Sequence, residues 1–302
     1  MRKLLPILIV CYLRPKKLEL LLNSIGESKR KVFIFIDRAN EPHTDLNREV
    51  FNVAAKFRTT LDIDIHWSNL HQGVARGVPA ALDWAFSYVD ELVILEDDCL
   101  PSDFSFEFFE CNIDKIGRES VVIASASSPW KNLDNQNSQI PLTLSSYPLI
   151  WGWCTNRASW IKISLLLNKK TPHFRVFKFL LTNPQKIRSI CFFYAAVIRV
   201  NRKKLSAWDS PVALEMLLKN YKAIISNVNL IQNSGKDEIA SHYSNPGMIL
   251  NQIVSVNDNV QASKNLNNSK FWSNKVNLEI ERNVYNLQIK HVLSPLKAFI
   301  GM

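Results

Sequence analysis

Along its first 125 residues the chain alternates short apolar runs, each bounded by turn residues, with longer stretches of helical period. The runs predict strands over residues 6–12, 32–37, 61–67, 91–95 and 120–125. Between the first two, Leu18, Leu21, Leu22 and Ile25 recur at the spacing of one helical face, which predicts a helix over 15–25. Residues 47–57 and 74–88 read the same way. Strands and helices in alternation predict an α/β fold, a mostly parallel sheet covered by helices on both faces. Sheets of this type take ligands outside the carboxyl ends of their strands. The residues expected there are Arg14, Asp37 with Arg38, the stretch 69–77, and Glu96-Asp97-Asp98.

After Ser125 the pattern becomes aromatic and loop-like, which places a soft boundary inside one unit. Residues 1–125 form a first half and 126–250 a second half of the same domain. Residues 251–302 read as an irregular, Asn-rich C-terminal extension, packed loosely apart from a terminal helix over 284–299. The first fifteen residues have the charged start of a signal peptide, but their apolar run is short and lacks a small-residue cleavage site. A buried first strand is the better reading. No run approaches the ~20 apolar residues of a membrane-spanning helix. Five cysteines, odd in number and without Cys-x-x-Cys spacing, argue against both a disulfide framework and a zinc site. A reduced cytoplasmic setting is the expectation.

The chain has 302 residues, 47% apolar and 21% charged, an ordinary globular composition. Its formal net charge of +10 is uneven. No acidic residue lies between Asp134 and Asp209, where 12 of the 37 basic residues fall, so the remainder is near neutral. Nucleic-acid binding would need basic and aromatic residues interleaved on a recognisable motif, and none is present. Cys11-Tyr12-Leu13-Arg14-Pro15 after the first strand has no glycine, against a dinucleotide fold, and no phosphate-binding Gly-Lys loop, nucleophile elbow or His-Glu-x-x-His motif occurs. Within residues 157–204 the cations flank apolar runs, a pattern suited to an anionic membrane surface or a lipid-diphosphate-linked glycan, or to buried helices with solvated lysines.

Leu92-Val93-Ile94-Leu95-Glu96-Asp97-Asp98 places three consecutive carboxylates at the end of an apolar strand. Burying them together is costly unless a cation neutralises them. Mn²⁺ or Mg²⁺ bound by one or two carboxylates plus phosphate oxygens would do so, which suits a nucleoside diphosphate. The alternative is a solvated acidic turn.

From this motif outward the chain resembles the GT-A fold glycosyltransferases, in particular the group of N-acetylglucosaminyltransferase I and its bacterial relatives in surface-polysaccharide gene clusters. The resemblance runs in order through residues 6–14, 73–78 with 81–86, 94–101, 147–153, Ala207-Trp208-Asp209, 227–233 and 235–242. It implies an inverting, metal-dependent transfer from a nucleotide-sugar donor, UDP-linked, to a glycan or lipid-linked acceptor, in cell-surface polysaccharide synthesis. A non-catalytic nucleotide- or glycan-binding relative and a sugar nucleotidyltransferase are the alternatives. By the same resemblance Asp98 and His242 are metal ligands, and Glu96 and Asp97 shape the site toward the ribose. Asp37 meets the base, Arg14 and Arg76 the base or diphosphate, and Lys236 the diphosphate. Asp209 is the catalytic base with Trp208 as its apolar wall, unless it merely caps the helix that follows. Where relatives carry another aromatic or acidic residue soon after this pair, the chain has Ser210-Pro211, with Glu215 as the substitute. Trp130, Tyr147, Trp151 and Trp153 line the acceptor side or pack in the core.

Overall fold

All five side chains of β1 (Ile7–Cys11) are apolar and four are buried, as expected of a strand covered on both faces. The computed structural model describes residues 4–129, 142–167, 173–233, 266–267 and 270–300. After β1 come α1 (Pro15–Ile25), β2 (Lys31–Ile36), α2 (Thr44–Lys56), β3 (Asp62–Trp67), α3 (Val74–Phe86) and β4 (Glu91–Glu96). Then follow β5 (Cys99–Pro101), α4 (Asp103–Asn112), β6 (Val121–Ser125), β7 (Leu142–Ser145), β8 (Trp153–Asn156), α5 (Arg157–Ile163), α6 (His173–Thr182) and α7 (Ile187–Asn201). The last elements are α8 (Asp209–Lys219), β9 (Lys222–Ile225), β10 (Ile231–Asn233), β11 (Leu266–Asn267), α9 (Lys270–Glu279) and α10 (Ser294–Ile300). The five strands expected over the first 125 residues all form. In α1, Pro15 opens the helix and Leu18, Leu21, Leu22 and Ile25 are its buried face.

Among the described residues, nine strands form one sheet in the order β11-β7-β9-β6-β8-β4-β1-β2-β3. The pairs β4-β1, β1-β2, β2-β3 and β6-β9 are parallel, while β8 lies antiparallel between β4 and β6. Side chains alternate across the sheet with the period of two. Leu8, Phe33, Phe35, Leu92 and Ile94 enter one layer with α3, α7 and α8. Ile7, Ile9, Ile34, Ile36, Val93 and Leu95 enter the other with α1, α2 and α4. The α/β class and its two helical layers are thus as the pattern predicts. The short strands β5 and β7 to β11 are not visible in the pattern, because two to four residues cannot display a period.

The described C-terminal segment is better packed than an Asn-rich stretch suggests. Val276, Ile280, Val284 and Ala298 are buried, α9 packs on β7, and α10 packs on α7. Arg202 Nη1 donates to the Ala298 carbonyl at 2.9 Å.

Gly152, just before β8, has a φ of +68°, and a Cβ built there would meet Ile231 Cγ1 at 2.4 Å. Positive φ disfavours any side chain by about 1–2 kcal/mol, and overpacking adds about 1–3. Gly152→Ala should therefore lose about 2–5 kcal/mol in urea unfolding. Gly26→Ala, at φ +64° with no atom within 4 Å of the new methyl, should lose only the conformational part, about 1–2 kcal/mol.

Candidate active site

The carboxyl ends of β1, β2 and β3 are tied together by one buried side chain. Asn47 Nδ2 donates to the carbonyls of Tyr12 at 2.8 Å and Asp37 at 2.9 Å. Its Oδ1 accepts from the Ala39 backbone N–H at 3.2 Å and from Trp67 Nε1 at 2.9 Å. The carboxamide thus satisfies groups that strand pairing leaves open at a sheet edge. Sequence reading places Asn47 only at the start of a helix. A polar residue at a buried register of α2 was the available signal.

On this edge sits Asp37, nearly buried. Its Oδ1 accepts from the Gln72 backbone N–H at 2.8 Å and its Oδ2 from that of Gly73 at 2.9 Å. Gly73 precedes α3, so the carboxylate faces the positive end of that helix. Gly77 lies close to it, a Cβ there falling 3.8 Å from the carboxyl carbon, an ordinary packing distance. His71 Nδ1 stands 3.0 Å from Asp37 Oδ2 and 2.9 Å from the Arg38 carbonyl, two acceptors that require its proton on Nδ1. The His71 ring stacks on Tyr12 at 5.2 Å. Asp37, expected to meet the base, thus also holds the loop between β3 and α3 in place.

The acidic motif lies at the end of β4 beside β1. Arg14 Nη1 donates to Asp97 Oδ1 at 3.1 Å and to Asp98 Oδ2 at 2.9 Å. The Tyr12 N–H points to Asp97 Oδ2 at 3.4 Å. Burial, then the charges of Asp98, Asp97 and Asp209, push the Glu96 carboxyl up to about 8. Burial and Asp98 push Asp97 up to about 6, although Arg14 and the Tyr12 N–H act the other way. The solvated-turn alternative therefore fails, since Asp97 and Asp98 are buried. Carboxyls raised in this way mark a rim that gains from a further cation. Mg²⁺ or Mn²⁺ takes one or two carboxylates and completes its shell with phosphate and water oxygens; Asp97 and Asp98 offer two such groups, both held by Arg14, and among the described residues no group of three or more His, Cys, Asp and Glu gathers as a metal site. β5 then pairs with β10, Cys99 opposite Asn233. Residue 233 is the last before the stretch carrying Lys236 and His242, which lie outside the described residues, as does Trp130.

These elements enclose a cavity of about 290 Å³, lined by Tyr12, Arg14, Asp37, His71, Gly73, Glu96, Asp97 and, from the second half, Ser206. The sequence marks Tyr12 and His71 only by their place after β1 and β3, and it gives no signal for Ser206, which lies between α7 and α8. Arg76 is exposed on α3 and does not line the cavity.

Asp209 is the first residue of α8. Its Oδ1 accepts from the Ser210 N–H at 2.8 Å, so the side chain also supports the helix start. Its charge reaches Glu96 from one side and the phenol of Tyr285, raised by burial and by Asp209, from the other. Trp208 is a buried anchor and not a wall of the cleft, because it stacks on Trp153 at 5.8 Å and meets Trp160 edge-on at 6.4 Å. Trp153 and Tyr147 are corrected in the same way. At 1% and 3% exposure neither offers a face to a sugar, and the Tyr147 hydroxyl donates to Glu281 Oε1 at 2.5 Å. Trp151 is half-buried, packed against both core layers. Glu215 is no substitute acid for the cleft, since it is fully buried and held by Arg175 Nη2 at 3.0 and 3.1 Å.

No family model matches the chain. No curated protein matches it either. Among solved structures, one described as the apo form of the bifunctional glycosyltransferase WbbM aligns over 74% of this chain and 39% of its own, with 8% identity and a TM-score of 0.36. The chain thus spans well under half of that protein's length, and a likeness at this level carries no argument about chemistry.

Two substitutions test the rim. Asn47→Ala leaves two donors and two carbonyls without their partner and should cost about 3–5 kcal/mol in chemical denaturation. Asp37→Ala should leave the fold intact while speeding amide exchange at Gln72 and Gly73 by about tenfold or more, the loss of one charge-assisted bond each. Hydrogen exchange of peptides covering 68–77 reads this directly.

Proposed function

We propose that the chain is a GT-A type glycosyltransferase that moves a sugar from a UDP-linked donor to a glycan or lipid-linked glycan, with inversion, as a step of cell-surface polysaccharide synthesis. The observation that carries this reading is the run Glu96-Asp97-Asp98 at the carboxyl end of a strand parallel to β1, with Glu96 and Asp97 lining a cavity of about 290 Å³ and Glu96 within electrostatic reach of Asp209. The order of motifs along the sequence supports it.

In this reading the stacked Tyr12 and His71 give the base a flat edge beside Asp37. Arg14 supplies positive charge near the diphosphate. Asp98, with Asp97, would hold Mn²⁺ or Mg²⁺, which when bound offsets charge on the leaving diphosphate. The acceptor hydroxyl oxygen forms the new bond to the anomeric carbon as the bond to the diphosphate oxygen breaks, through a state of oxocarbenium character. Asp209 takes the hydroxyl proton, and the nucleoside diphosphate leaves with the electron pair. Trp153 and Trp160 contribute by fixing Trp208, and hence the start of α8.

The test is release of nucleoside diphosphate from a panel of nucleotide sugars, with Mn²⁺ present or chelated. Turnover should vanish with chelator and in Asp98→Ala. Asp209→Asn should keep nucleotide binding and lose about 10²–10⁴-fold in turnover. Tight binding without turnover of any donor would replace the proposal with a binding module, and pyrophosphate exchange with a sugar nucleotidyltransferase.

A further inference from the structure

The region that carries the excess positive charge has a core part and an exposed part. Ile190, Phe193, Val197 and Ile198 of α7 are buried, as is Leu166. Ile161 and Leu165 are 57% and 37% exposed, and the largest exposures fall on α6, where Phe174, Phe177 and Leu181 are 77%, 63% and 69% exposed while Val176 is buried. At about 100° per residue, Phe177 and Leu181 lie within about 60° of Phe174, and Val176 about 160° away. The three apolar side chains therefore form one stripe on the face turned from the protein. Exposed Lys178, about 40° from Phe174 on the other side, borders that stripe. The next turn, Pro184–Lys186, packs against α6 with Lys186 Nζ 5.7 Å from the Phe179 ring, and α7 opens with exposed Ile187 and Arg188.

We propose that α6 and the start of α7 dock this protein on an anionic lipid surface. Phe174, Phe177 and Leu181 enter the interface, and Lys178, Lys186 and Arg188 meet lipid phosphates. Charge selects this occupant. No residue from 135 to 208 is acidic, and Glu215, which reaches this side, is buried against Arg175. A second copy docked on the same stripe would bring like charges together. The contact lies on the surface and does not span, since no helix among the described residues is long and apolar enough to cross a membrane. Arg202, Lys203 and Lys204, at the other end of the 15-residue α7, about 22 Å away, are not part of this face. The inference goes beyond the proposed catalysis and does not depend on it.

Co-sedimentation of the full chain with vesicles of phosphatidylcholine, alone or mixed with phosphatidylglycerol, tests it. Binding to the mixed vesicles should weaken with salt. It should fall about tenfold or more in the combined variant Phe174→Ser, Phe177→Ser, Leu181→Ser, and about fivefold in each of Lys178→Ala and Arg188→Ala. Lys56→Ala, in α2 on the opposite layer, should bind as the parent does. Hydrolysis of a soluble nucleotide sugar should be unchanged in the apolar variant, which separates this test from that of catalysis. Absence of binding at low salt, equal binding to pure phosphatidylcholine, or binding indifferent to the apolar variant overturns the proposal. So does a concentration-dependent dimer in sedimentation velocity that the apolar variant abolishes.

Discussion

The four hydrogen bonds of the Asn47 carboxamide are the constraint on which the candidate site rests. Parallel strands end in backbone groups that the ladder no longer pairs, and at a buried edge those groups must find partners. One side chain joins the ends of β1 and β2 to the Trp67 indole of β3. Tyr12, Asp37 and, through the following loop, His71 are then fixed relative to each other. Asp37 extends the arrangement by holding the start of α3 through two backbone N–H groups. Binding chemistry on this rim therefore stands on groups whose own positions are over-determined.

Against that fixed edge the end of β4 is electrostatically unfavourable. Glu96 and Asp97 are both pushed upward by burial and by neighbouring carboxylates, and Arg14 offsets only part of this. A fold selected for stability alone gains nothing from such a cluster, and strongly perturbed carboxyls of this kind are more common at functional sites. Asp209 comes to the same rim from the second half, carried by a helix whose first turn is locked by three packed tryptophans. The aromatic residues that look like a sugar platform serve instead as the foundation for one carboxylate.

The net charge acquires a similar division. Where α7 buries its apolar side chains, the cations are ordinary solvated ends of a core helix. Where α6 turns two phenylalanines and a leucine outward, the same composition describes an exposed apolar stripe beside cations.

The alternation of apolar runs with helical stretches already implied the α/β class, the strands β1 to β4 and β6, and the rim on which Arg14, Asp37 and Glu96-Asp97-Asp98 meet. That much is local, because burial on both faces of a parallel strand writes an unbroken apolar run and an amphipathic helix writes its own period. What was not legible depends on long-range packing. Trp153 and Tyr147 are indistinguishable in sequence from cleft aromatics, and only the stacking of Trp208 on Trp153 and the bond of Tyr147 to Glu281 put them inside. Asn47 and His71 gain their meaning from partners far away in sequence, Tyr12 among them for both, and Glu215 loses its expected one because Arg175 reaches it first. Whether a side chain meets solvent, a ligand or another side chain is decided by which distant segment lies opposite it, and only the tertiary structure holds that information.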